Sequence, residues 1–92
     1  MEIPALPEHV GFVLSVLLSA RHEAVLVGGC VRDLLLGRNP NDFDIATSAY
    51  PEETAALFPR VVLDGAAHGT VRVLTQGGPV EVTTYRSDGE YP

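Results

Sequence analysis

Ninety-two residues make one small domain, with no room for a second core. Hydrophobic residues at 46% and charged residues at 20% exclude a disordered chain. All six basic residues are Arg, against twelve acids, and the net charge of −6 makes the chain a poor nucleic-acid binder by charge alone. The single cysteine, Cys30, excludes an intramolecular disulfide and an all-Cys zinc site, and reads as a small buried residue at a helix start. Met1-Glu2-Ile3-Pro4 lacks the basic start of a secretory signal. The longest mainly apolar stretch, residues 10–20, is too short to span a membrane, so a soluble cytoplasmic protein is expected.

In chain order, Pro7-Glu8 marks a helix start, and Val10, Val13, Leu14, Leu17 and Leu18 follow on one helical face that should enter the core. Residues 23–27 end in an apolar run that suits a buried strand. Gly28-Gly29 turns the chain into a short helix with Val31, Leu34 and Leu35 at helical spacing, which Gly37 is placed to end. Asn39-Pro40-Asn41 is turn chemistry, and residues 42–46 then read as a half-exposed strand. Pro51-Glu52-Glu53 opens a third helix that Pro59 stops. Residues 60–63 form a possible short strand before an Asp64-Gly65 turn. Residues 70–76 and 80–86 read as strands joined by Gly77-Gly78-Pro79. The expected fold class is α+β: a small mixed β-sheet with helices packed on it.

Asp42-Phe43-Asp44-Ile45 carries the chemistry. Side chains two apart on a strand share a face, so Asp42 and Asp44 should point together while Phe43 and Ile45 enter the core. Two like charges so close repel, a divalent cation relieves that, and hard oxygen donors favour magnesium or manganese. An isolated Asp-x-Asp is commonplace, and its surroundings give it weight. Gly28-Gly29, between a strand and a helix, lets backbone N–H groups approach a phosphate closely, and Arg32 extends donors in the same direction. The bland reading is a plain tight turn with a solvated arginine. Glu81 interrupts a β-branched strand opposite in face to Val80 and Val82, either as a surface residue or as the third carboxylate of a two-metal site. Such a set suits nucleotidyl transfer. His9, His22 and His68 form no metal spacing and read as structural, and Tyr50 and Tyr85 as packing residues.

Residues 27–47, from Val27-Gly28-Gly29-Cys30-Val31-Arg32-Asp33 through Asp42-Phe43-Asp44, closely resemble the head-domain signature of the bacterial tRNA nucleotidyltransferase (CCA-adding enzyme) and poly(A) polymerase family. His68-Gly69-Thr70-Val71 and Glu81-Val82-Thr83-Thr84-Tyr85-Arg86 resemble later pieces of the same domain, in order. The resemblance implies a polymerase-β-like nucleotidyltransferase fold that adds C, A or both to RNA 3′ ends without a template, with tRNA as the expected substrate. It implies Asp42 and Asp44 as Mg2+ ligands (Mn2+ being the alternative), Glu81 as the third catalytic carboxylate, and Gly28, Gly29 and Arg32 as contacts to the incoming ATP or CTP. Asp88-Gly89-Glu90-Tyr91 matches the approach to a mobile loop and receives no catalytic role. Relatives continue into a base-selecting neck and helical tRNA-binding domains, so residues 1–92 are expected to be a catalytic head that is incomplete by itself. Two other readings remain open: a minimal nucleotidyltransferase acting on a protein or small molecule, and a silent fragment that keeps the fold. The Val31-Arg32-Asp33-Leu34-Leu35-Leu36-Gly37 run favours the RNA enzyme, because minimal enzymes usually place Gly-Ser at the turn.

Overall fold

The computed structural model describes residues 6–85, in the order α1 (Glu8–Ser19), β1 (Ala24–Val27), α2 (Gly29–Leu35), β2 (Asp44–Thr47), α3 (Pro51–Leu57), β3 (Val61–Val62), a 3-10 turn (Ala66–His68), β4 (Thr70–Thr75) and β5 (Gly78–Thr84). Arg86 and residues 88–91, together with residues 1–4, lie outside the described residues. The five strands form one sheet in the order β1-β2-β5-β4-β3. The β2–β5 pair is parallel and every other pair is antiparallel. The mixed α+β architecture expected from the sequence is therefore what the chain adopts.

Strict alternation builds the core. Ile45, Val71, Val73, Val80 and Val82 are buried on one face of the sheet, where α1 adds Val10, Val13 and Leu17. Because the strand period is two, a one-residue slip of β2 would turn Asp44 inward and expose Ile45. Burying Ile45 completely, at about 1.5–3 kcal/mol for such a side chain, thus fixes which way Asp44 faces. α2 packs on β1 and delivers Cys30 and Leu34 to the same core. Leu36 caps α2 and Gly37 follows at φ +75°, the left-handed exit expected of it.

Several boundaries and faces differ from the sequence reading. β2 begins at Asp44, not Asp42, because Val27, the last residue of β1, pairs with Asp44 and Gly28 then leads the chain away. Leu18 is 55% exposed, beyond the edge of the buried helical stripe. Val25 is 53% exposed, since its pairing with Ala46 puts it on the sheet face opposite the core, the face that also carries Asp44. The hairpin turns at Gln76-Gly77, not at Gly77-Gly78-Pro79, and β5 includes Pro79 opposite Leu74. Thr75 closes this tighter turn: its Oγ1 accepts from the Gly77 N–H at 3.1 Å and donates to the Gly78 carbonyl at 2.7 Å. Gly77 also lies against α1, where a Cβ would sit 2.5 Å from His9 Nδ1.

Candidate active site

The site is assembled where three strands and one turn meet. On β2, Ile45 and Thr47 face the core and Asp44 faces the opposite side. On β5, Val80 and Val82 do the same and leave Glu81 on that opposite side. The parallel register sets Asp44 directly beside Glu81. Asp42 lies in the bend before β2, outside the strand. The shared strand face that the sequence suggested for Asp42 and Asp44 is therefore replaced by convergence from a bend and a strand. Both still line one pocket of about 450 Å³ with Phe43, Arg72, Pro79 and Glu81. Phe43, 5% exposed, anchors the bend in the core between the two acids.

The Gly28-Gly29 turn lies beside Asp44, on the flank away from Glu81. Gly28 has φ +79° and ψ −157°, a conformation essentially reserved for glycine. A Cβ there would meet Asp44 Oδ2 at 3.1 Å, so the bare backbone also makes room for the carboxylate. The Cys30 thiol donates to the Val27 carbonyl at 3.0 Å and ties the start of α2 to the end of β1. Arg32 sits at the surface with its side chain 73% exposed, held by a 3.5 Å contact to Asp33. Its Nη2 lies 3.5 Å from where a Gly29 Cβ would stand, so the guanidinium curls back over the glycine turn.

Electrostatics single out Asp44. Burial pushes its carboxyl above the ordinary aspartate value, and the neighbouring Glu81 and Asp42 charges raise it further. A bound cation would relieve that repulsion, and the donors available are hard carboxylate oxygens that suit magnesium or manganese. Asp42 and Asp44 therefore fit a divalent ion. The third carboxylate is otherwise engaged: Arg72 Nε donates to Glu81 Oε2 at 2.7 Å. Among the described residues, no three His, Cys, Asp or Glu side chains converge into a ready cation cage.

Arg72 is the site residue that sequence reasoning missed. The signal was the hairpin: the two-residue turn at Gln76-Gly77 sets Arg72 opposite Glu81, whereas a Gly77-Gly78-Pro79 loop would have set it opposite Thr84. Elsewhere the polar groups are structural. Thr47 Oγ1 donates to the Glu23 carbonyl at 2.6 Å, Thr84 Oγ1 donates to the Ala49 carbonyl at 2.6 Å, and the Tyr85 hydroxyl donates to the Glu23 carboxylate. These contacts tie the ends of β2 and β5 to the segments flanking β1 and β2. Tyr85 is held by this hydroxyl contact and is only partly buried, and Tyr50 is 46% exposed, so neither is buried as the expected packing residue would be.

The fold has counterparts among known proteins. Residues 24–92 match the family model described as Poly A polymerase head domain. A CCA-adding enzyme of Streptococcus pyogenes is 54% identical over 79 residues, covering 86% of this chain and 20% of that protein. One from Bacillus cereus gives the same identity and coverage. Among solved structures, the Bacillus stearothermophilus CCA-adding enzyme in complex with CTP superposes with a TM-score of 0.81 at 46% identity, over 89% of this chain and 21% of that one. The Thermotoga maritima CCA-adding enzyme complexed with tRNA shares the fold at a TM-score of 0.70 and 23% identity, over 94% of this chain and 25% of that one. The chain thus spans about one fifth of the length of the curated relatives it matches. No helix among the described residues is long and apolar enough to cross a membrane.

Proposed function

The chain belongs to the poly(A) polymerase head-domain family, and from that premise we propose that it supplies the catalytic head of a template-independent RNA nucleotidyltransferase adding C, A or both to tRNA 3′ ends. The observation that carries this reading is the register of β2 against β5, with Asp44 beside Glu81 and Asp42 on the rim of the same pocket. Asp42 and Asp44 would hold Mg2+ or Mn2+, and Glu81 completes the carboxylate set. When bound, the divalent ions supply Lewis-acid activation of the attacking hydroxyl and neutralise the departing pyrophosphate. The chain's own residues do the positioning. Gly28 and Gly29 leave backbone N–H groups open to close approach by a triphosphate, and Arg32, loosely held by Asp33, can direct its guanidinium onto the same phosphates. Relatives are seen with CTP and ATP, which supports both nucleotides as ligands for this head. The chain spans about a fifth of those relatives, and base selection and the grip on tRNA then fall to segments other than residues 1–92.

The test is a calorimetric titration with ATP and with CTP in the presence of manganese, comparing the wild type with the double variant Asp42→Asn, Asp44→Asn. Binding by the wild type, similar for both bases and lost in the double variant, is the expected result. A folded wild type that binds neither nucleotide, or a double variant that binds as well, would overturn the assignment of this pocket.

A further inference from the structure

At one level of the sheet, β2, β5 and β4 place Asp44, Glu81 and Arg72 side by side in a row. Glu81 stands in the middle, with a carboxylate on one flank and a guanidinium on the other. Its own side chain is one-third exposed and that of Arg72 just over half, so neither is locked by packing. The 2.7 Å contact pairs Glu81 with the guanidinium flank. Arg72 also lines the pocket it shares with Asp42 and Asp44, so its charge already stands where a cation's would be needed.

We propose that Arg72 is a resident counterion that competes with a divalent cation for Glu81, and is thus a positioning residue of the site. The inference rests on the reading of Asp42 and Asp44 as cation ligands. Glu81 can join a cation held by those two acids only by turning from Arg72 toward Asp44. The turn needs side-chain rotation alone, because the backbone of β5 is pinned on both sides by its ladders. Until then the pair partly offsets the Glu81 charge, which lowers the repulsion that three uncompensated carboxylates would impose on this corner of the sheet. The nucleotide-free site is thereby kept assembled without a cation, at some cost in affinity when the cation arrives. Two rival accounts predict otherwise. An incidental surface pair would leave cation affinity unchanged on its removal, and an arginine that props Glu81 in a ligating position would weaken it.

The test measures Mn2+ affinity directly, from the electron paramagnetic resonance signal of free manganese, with no nucleotide present. Arg72→Gln should tighten binding by about two- to fivefold, the scale of a half-exposed ion pair. Arg72→Lys, which retains the charge, should stay near the wild type. Adding Glu81→Gln to Arg72→Gln should erase the gain, because the competition acts through that carboxylate. Should the Gln variant fail to fold, Arg72→Thr, a strand-favouring substitution, reads the same quantity. Unchanged or weaker binding in the Arg72 variants, with wild-type binding that depends on Asp42 and Asp44, overturns the counterion role and leaves the cation site intact. Binding indifferent to Asp42→Asn, Asp44→Asn in every background overturns the cation site, and the inference with it.

Discussion

Asp44 bears an electrostatic penalty that its neighbours and its own burial impose. Its carboxyl is shifted above the ordinary value of 3.8, so folding favours the protonated form. The stability this shift represents is fully present below the ordinary value and is lost as pH rises through the higher folded value. At neutral pH the ionised side chain therefore works against the fold until a cation arrives. Asp44→Asn should accordingly raise the thermal midpoint of the cation-free protein at about pH 7, and the gain should vanish at about pH 3, where both forms are neutral. Saturating manganese should reverse the order at neutral pH, since only the wild type gains from a ligand of the native state. Equal midpoints at about pH 7 without metal would show that solvent screens the repulsion away. At this scale the sequence was informative about identity: the carboxylates of residues 42, 44 and 81 were all legible as a set. Arg72 was not, because a single arginine on a strand means nothing until its cross-strand partner is known.

The turn from β1 into α2 shows what two adjacent glycines do differently. Gly28 occupies backbone space that side-chain-bearing residues avoid, and a Cβ there would press on the Asp44 carboxylate. Gly29 is the first residue of α2, and a Cβ there meets only the mobile end of Arg32 at ordinary van der Waals distance. Gly28→Ala should therefore destabilise the fold by about 1–3 kcal/mol and displace the Asp44 carboxylate. Gly29→Ala should leave stability unchanged or raise it by up to about 1 kcal/mol, because alanine favours the helix. Urea denaturation separates the two, and triphosphate titration adds a second reading: loss of binding in a fully stable Gly29→Ala chain would reveal close backbone approach by the phosphates. Comparable destabilisation by both would mean that position 29 also rejects a side chain, and the distinction between the two glycines would fall. Elements of this kind were largely readable, since the Gly-Gly turn, the three helices and the alternating valines follow from local periodicity. What escaped were ends and registers. The start of β2 depends on where β1 stops, and the hairpin register depends on the Thr75 hydroxyl closing a two-residue turn, neither of which periodicity encodes.

At the scale of the whole chain, burial and charge divide the work between the two faces of the sheet. α1 and α3 cover one face with the apolar core, while the other presents Asp44, Glu81 and Arg72 beside the Asp42 bend. Three acids against one arginine make that surface favour cations over anions. It does not attract an RNA backbone, whose binding is driven by counterion release from phosphates matched to Lys and Arg. With a net charge of −6 and its Arg residues spread along the chain, residues 1–92 should hold ATP or CTP in manganese yet bind tRNA no more tightly than about 100 µM at physiological salt, the feeble end of non-specific association. Filter binding across a salt series checks this, because the salt slope counts the phosphates engaged. A shallow slope and weak retention are expected, alongside intact nucleotide binding by the same preparation. Micromolar retention that falls steeply with salt would instead mean that the arginines converge into a basic track that net charge conceals, and that this head meets the tRNA backbone directly rather than only its 3′ end.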